Sequence, residues 1–144
     1  MAVHGRNTDI RVDNPSGTLT DISQYADSVD FPSDISMGET TGYKAPGFAR
    51  TYLPGLNGRS ITIGGKWDAA LDANLGVIAN NGGVLNAGGS ISFQFGPAGS
   101  TSGNVRYTGE CFLQNYRVND PLDGVVTYSA QLMITGQATR DTYP

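Results

Sequence analysis

Residues 125–140 read VVTYSAQLMITGQATR. Val126, Tyr128, Ala130, Leu132 and Ile134 share one parity, while Thr127, Ser129, Gln131 and Thr135 share the other. Side chains alternate between the two faces of an extended chain, so this spacing predicts a long strand with one apolar and one polar face. The same pattern continues upstream. NDPLDG (residues 119–124) is a turn, with Pro121 and Gly124 as its turn residues, and NVRYTGECFLQNYRV (104–118) is a long partner strand. SISFQFG (90–96) sets Ile91, Phe93 and Phe95 against Ser90, Ser92 and Gln94, and PAGSTSG (97–103) links it to the next strand as a hairpin loop.

One helix interrupts the strands. In WDAALDANLGVIAN (67–80), Leu71, Leu75 and Ile78 fall on one side at i, i+4 and i+7, Asp68 is placed to cap, and NNGG stops the run. The spacing predicts a helix over 68–80 that packs on a sheet. Asp72, one turn after Asp68, is expected on its solvated face. Before the helix, RSITIGGKW (59–67) is a strand with Ile61 and Ile63 on one face, and Trp67 is expected to anchor the core. Nearer the start, residues 1–8 read as an extended polar arm, TDIRVD (8–13) as a short strand and NPSG (14–17) as a turn. TLTDISQYADSVDFP (18–32) reads as one long or bent strand. The sum is a mainly β fold: an antiparallel sandwich or barrel of six to eight strands with one flanking helix, in a single domain spanning 1–144. The expected core is Ile61, Ile63, Ile91, Phe93, Tyr128, Leu132 and Ile134.

Composition points toward assembly. Charged residues make up 15% of the chain, against roughly a quarter in ordinary soluble domains, and glycine supplies 20 of 144 residues. The polar strand faces carry Ser, Thr and Gln rather than the Lys and Glu that normally discourage edge pairing. Such faces suit either a sheet that lines an aqueous channel or a plain solvent-facing sheet. The net charge of −4 argues against tight nucleic-acid binding. Its distribution is uneven: residues 7–41 hold seven acids (Asp9, Asp13, Asp21, Asp27, Asp30, Asp34, Glu39) and one base, Arg11. TGYKAPGFARTYLPGLNGRSITIGGKW (41–67) holds four bases, Lys44, Arg50, Arg59 and Lys66, and no acid. The two blocks could fold onto each other, or one copy's acidic face could meet its neighbour's basic loop.

Catalytic chemistry has little to stand on. His4 is the single histidine and lies in the arm, so neither a Ser-His nor a Cys-His pair is expected. No cofactor or metal is expected. The acids near turns do not match an EF-hand, and GGVLNAGGS (82–90) lacks the Lys-Ser/Thr of a phosphate-binding loop. Cys111 is the single cysteine, expected as a buried free thiol. The sequence starts without a charged-then-apolar leader, and no apolar run reaches the ~18 residues of a membrane span, so the chain is expected to be cytoplasmic at synthesis, with no membrane partner.

TDISQYADSVDFP, the long loop after it, SITIGGKWD, the helix, FQFGPAGSTSG followed by YTGECFL, and the closing TGQATRDTY follow one another in an order that resembles the major tail tube proteins of long, non-contractile-tailed phages (siphophages). The resemblance covers nearly the whole chain and rests on strand order and local phrases. It implies a structural virion protein that forms six-membered rings, each subunit lending strands to an inner barrel. The rings stack around a tape-measure protein that later gives way to double-stranded DNA. Terminator and baseplate or distal tail proteins would be further partners, with assembly in the host cytoplasm. Under that resemblance, Thr127, Ser129 and Gln131, with Thr108, Glu110 and Gln114 on the hairpin partner and Ser92 and Gln94 beyond, are lumen candidates. Glu110 shares parity with Phe112, which leaves the facing of that strand open. Residues 41–58 become an inter-ring stacking loop with Tyr43, Lys44, Phe48, Arg50, Tyr52 and Leu53 as contacts, and Asp21, Asp27, Asp30, Asp34 and Glu39 as acidic partners. Competing readings are a capsid decoration or head-tail joining protein, a contractile-tail or type VI secretion tube subunit, and a small β-sandwich binding module. The last would want exposed tryptophans, and Trp67 stands alone beside the helix.

Overall fold

The computed structural model describes residues 5–43 and 46–144, without the side chain of Phe48. The expected positions of His4 and Lys44 and the first part of the arm lie outside the described residues. The strands are β1 (Asp9–Asp13), β2 (Leu19–Asp21), β3 (Ser28–Asp30), β4 (Ser33–Glu39), β5 (Tyr52–Lys66), β6 (Ile91–Gly96), β7 (Val105–Asn119) and β8 (Thr127–Thr142), with helix α1 (Ala69–Asn80) between β5 and β6. One antiparallel sheet runs in the order β2-β1-β6-β7-β8-β5-β3, and β4 pairs with the first half of β5.

The sheet curls over its apolar face. Ile61, Ile63, Tyr128, Ala130, Leu132, Ile134, Cys111, Leu113, Ile91 and Phe93 share one buried cluster with Leu71, Leu75 and Ile78 of α1. Every residue expected in the core is in it. Phe31, just past β3, stacks on Phe95 at 5.8 Å and lies against Tyr107 at 5.2 Å, so the β3 edge folds back over β6 and β7. Cys111 donates its thiol to the Ile91 carbonyl at 3.3 Å, and burial pushes that thiol's pKa up to about 12, which leaves it un-ionised at neutral pH.

Asp68 caps α1 by accepting from the Ala70 N–H at 2.8 Å. Asp72 is half-buried rather than fully on the expected solvated face. It accepts from the Tyr116 hydroxyl at 2.8 Å and from the Trp67 indole at 3.4 Å, joining α1 to β7. At the helix exit Gly83 adopts φ +83, a left-handed conformation that favours glycine, and its carbonyl accepts from the Leu113 N–H at 3.1 Å.

Three expectations along the chain are corrected. Residues 18–32 are not one strand: Ile22 turns into the core, a 3-10 turn at Ser23–Tyr25 follows, and β2 and β3 are three residues each. Ser23 causes the break, since its hydroxyl accepts from the Ile10 N–H at 2.9 Å and its amide donates to Asp21. Gly5–Asn7 forms a 3-10 turn rather than continuing an extended arm. Of the expected loop 41–58, residues 52–58 are strand, the first half of β5. β4 and the first half of β5 form a long antiparallel hairpin with a bulge between Ile35 and Met37, exposed on both faces.

Candidate functional site: the polar sheet face and the hairpin

Directly opposed residues of an antiparallel pair point to the same side. On β8, Thr127, Ser129, Gln131 and Met133 stand opposite Lys66, Gly64, Thr62 and Ser60 of β5. On the other flank they stand opposite Asn119, Arg117, Asn115 and Phe112 of β7. Three long strands therefore present one continuous face away from the core, and Thr127, Ser129 and Gln131 sit in its middle strand. Thr62 also brings Asp30 of β3 to this side.

β7 changes facing along its length. Leu113 pairs with Leu132, but Asn115 pairs with Gln131, so Gln114 is an extra residue in a bulge. Before it the even positions Thr108, Glu110 and Phe112 face outward; after it the odd positions Asn115, Arg117 and Asn119 do. Glu110 and Phe112 thus lie on the same exposed side, resolving the parity question, and Gln114 sits at the switch rather than in the row. The bulge lies where the Gly83 carbonyl takes the Leu113 N–H. Asn115, Arg117 and Asn119 were missed by strict alternation, yet a signal was present. In CFLQNYRV the inward residues Leu113 and Tyr116 are three apart instead of two.

Further along the sheet the candidates lose access. The Ser92 hydroxyl donates to the Glu110 carboxylate at 3.0 Å, and its N–H donates to Asp13 at 3.0 Å. Burial raises the Asp13 pKa, and the neighbouring Glu110 raises it further. Thr108 is half-buried opposite Gln94 and Thr139. Gln94, between Arg11 of β1 and Thr108 of β7, is 9% exposed, so it cannot line open water in the folded chain, a correction to its candidacy.

The face is not free of cations. Lys66 and Arg117 occupy it, against Asp30 and Glu110, and Lys66 is further paired with Asp27 at 3.4 Å. Its charges nearly cancel.

The hairpin carries the second set of candidates. Tyr43, Tyr52 and Leu53 are exposed, as are Ile35, Met37 and Leu56. Tyr52 pairs with Glu39 and Leu53 with Gly38, so both belong to strand rather than loop. Arg50 approaches Glu39 of its own chain at 3.7 Å, and both side chains remain largely exposed. Asp34 is on β4, and Asp21 is engaged by Ser23 at 2.5 Å. The acidic and basic blocks therefore already touch within one chain, through Asp27–Lys66 and Glu39–Arg50. Among the described residues no group of His, Cys, Asp and Glu is placed to hold a metal, and no helix is long and apolar enough to cross a membrane.

The fold can be compared with solved structures. The chain superposes on a subunit of the tail of an empty gene transfer agent particle, refined with C6 symmetry. The TM-score is 0.78 with 18% identity, over 98% of this chain and 100% of that one. It superposes on the SPP1 tail tube with a TM-score of 0.66 and 14% identity, over 98% of this chain and 80% of the other. It also matches the sheath/tube terminator of an extracellular contractile injection system, with a TM-score of 0.73 and 11% identity, over 99% and 98%. No protein-family model and no curated protein matches the sequence. The chain has the tail tube fold along nearly its whole length.

Proposed function

We propose that this chain is a structural subunit of a phage-type tail tube, assembling into rings of six that stack into a hollow conduit. The observation that carries the proposal is the tail tube fold over 98% of the chain, shared with a C6-symmetric tail. The continuous polar face of β5, β8 and β7 supports it. In the proposed ring that face lines the bore, with Thr127, Ser129 and Gln131 at its centre and Glu110, Asn115 and Arg117 beside them.

Duplex DNA carries one charge per roughly 1.7 Å of axis, so a bore dense in lysine would grip it. A face of Ser, Thr, Gln and Asn with nearly balanced charge offers DNA no electrostatic hold. Passage of double-stranded DNA after release of a tape-measure protein is the transport step proposed for this bore. The exposed hairpin of β4 and β5 is proposed to reach the next ring. There Tyr43, Phe48, Tyr52 and Leu53 would be covered, and Lys44 and Arg50 would meet acids such as Asp34 and Glu39 of another copy. Aromatic anchors of this kind supply large contact area. A terminator and a baseplate component would close the two ends, with assembly in the host cytoplasm. A capsid decoration or head-tail joining role lacks a comparable observation in its favour.

The test is thiol accessibility. Cys111 is buried and un-ionised, so Ser129→Cys introduces the reactive thiol. Unassembled protein should react with both a small maleimide and a maleimide on a long polymer. Assembled tubes should still admit the small reagent along the bore and exclude the polymer. Equal polymer labelling before and after assembly would put Ser129 on the outside and overturn the assignment.

A further inference from the structure

Arg59 stands at the root of the hairpin with unused binding capacity. Its guanidinium carbon lies 4.2 Å from the Phe31 ring centroid and 5.5 Å from that of Tyr107. Its Nε is sealed from solvent without an acceptor. No carboxylate of the described residues pairs with it, whereas Arg11, Arg50, Lys66 and Arg106 each hold one. The half-buried side chain lines two cavities. One, of about 360 Å³, is walled by Asn57, Gly136, Gln137 and Ala138; the other, of about 630 Å³, includes Leu56, Met133 and Asp34. A guanidinium held over the Phe31 ring and near Tyr107 has lost rotamer freedom before any ligand arrives. Its fork matches a carboxylate.

The acids able to supply that carboxylate can be sorted. Asp9, Asp27, Glu39 and Asp141 are in ion pairs, Asp21, Asp13 and Glu110 are held by serines, Asp68 caps α1, and Asp72 is taken by Tyr116. Asp30 and Asp34 lie near Arg59 on its own strand pairings. Asp120 and Asp123 remain, exposed on the turn between β7 and β8 with no partner among the described residues, flanking Leu122, which is 98% exposed. This turn lies at the opposite end of the long strands, because Thr127 pairs with Lys66 whereas Met133 pairs with Ser60, next to Arg59.

We infer that the β7–β8 turn of one copy docks at the hairpin root of the next, seating a carboxylate of Asp120 or Asp123 on Arg59. The carboxylate belongs in the cavity beside Asn57 and Gln137, whose amides can donate to it, since Asp34 would repel it from the other. Leu122 then lies toward Leu56 and Met133. Knob and socket sit on opposite ends of the chain, so the contact is head-to-tail and does not close on itself, the geometry from which filaments grow. This inference rests on the proposed tube reading and assigns its axial contact.

Two variants test it. In Asp123→Cys/Gln137→Cys one thiol lies on the turn before β8 and the other well along the strand, roughly 30 Å apart within one chain at ~3.3 Å per residue, too far for an internal disulfide. Under mild oxidation of concentrated protein the inference expects a ladder of disulfide-linked multimers, absent from either single-cysteine variant. Asp120→Asn/Asp123→Asn alters only exposed turn residues and should raise the critical concentration for tube formation about tenfold. Tubes that form without a ladder, or with an unchanged critical concentration, overturn the contact and leave the tube reading intact. A ladder without tubes supports the contact and counts against the tube reading. Neither ladder nor tubes overturns both.

Discussion

Replacing Tyr116 with Phe removes one oxygen and leaves the ring in place. That oxygen donates to Asp72 at 2.8 Å and accepts from the Trp67 indole at 3.2 Å, so it is the centre of the link between α1, β7 and the end of β5. A hydrogen bond to a charged acceptor contributes about 1.5–3 kcal/mol. Part of this survives in the variant, because Trp67 keeps its own 3.4 Å contact with Asp72 and the half-buried carboxylate can take up water. The expected loss is about 2 kcal/mol, which lowers the Tm by roughly 5–8 °C for a chain of this length. Calorimetry at neutral pH measures it, and a double-mutant cycle with Asp72→Asn isolates the pair. A loss below about 0.5 kcal/mol would refute the assignment of this bond. Alkaline titration gives an independent reading. Burial, and then the bond to Asp72, raise the Tyr116 pKa in the folded chain to about 12, above the value near 10 of an unfolded tyrosine. Neutral tyrosine is therefore favoured by folding. Its contribution is complete below pH ~10 and is lost as the pH rises through ~12. The Phe variant should show a shallower loss across that window, retaining the part due to Tyr128, whose pKa burial also raises.

Other outcomes follow from particular residues. Gly83→Ala places a Cβ against the Leu113 carbonyl at φ +83 and should cost about 3 kcal/mol, read by denaturant unfolding; an unchanged midpoint would contradict the helix-exit geometry. Ser129→Lys/Gln131→Lys should leave tubes intact but make them bind duplex DNA with an affinity that falls steeply with salt, measured by co-sedimentation. Salt-independent behaviour equal to the parent would count against their place in the bore. Removing residues 44–53 should preserve cooperative unfolding while abolishing tubes, because the exposed hairpin contributes nothing to the buried core. Long tubes from that variant would rule out the hairpin tip as an axial contact.

Legibility in the sequence tracked burial. The β8 residues Tyr128, Ala130, Leu132 and Ile134 are all buried, and their alternation showed the strand and its faces without any structure. Helix α1 was as clear, because Asp68 caps it and Leu71, Leu75 and Ile78 all enter the core. The hairpin of β4 and β5 was hidden for the opposite reason. Ser33–Glu39 is exposed throughout, so its short Ile35–Met37 alternation marks no buried face, and a bulge between the two interrupts it. Tertiary contacts hid the rest. The bulge at Gln114 is set where the helix exit binds Leu113, and Asp72 is half-covered because Tyr116, distant in sequence, reaches it. The lumen candidates on β8 follow from local alternation. Those on β7 needed the register, and Gln94 needed the knowledge that it is buried between β1 and β7.

The central claim is that this chain builds a hollow tube by itself or with an initiating complex. The most direct measurement is electron microscopy of the purified protein at rising concentration, with and without sheared tube fragments as seeds. The account predicts long tubes of uniform width, six-fold in cross-section, with the β5–β8–β7 face toward the bore. Closed particles of fixed size, or tubes whose reconstruction turns that face outward, would contradict it.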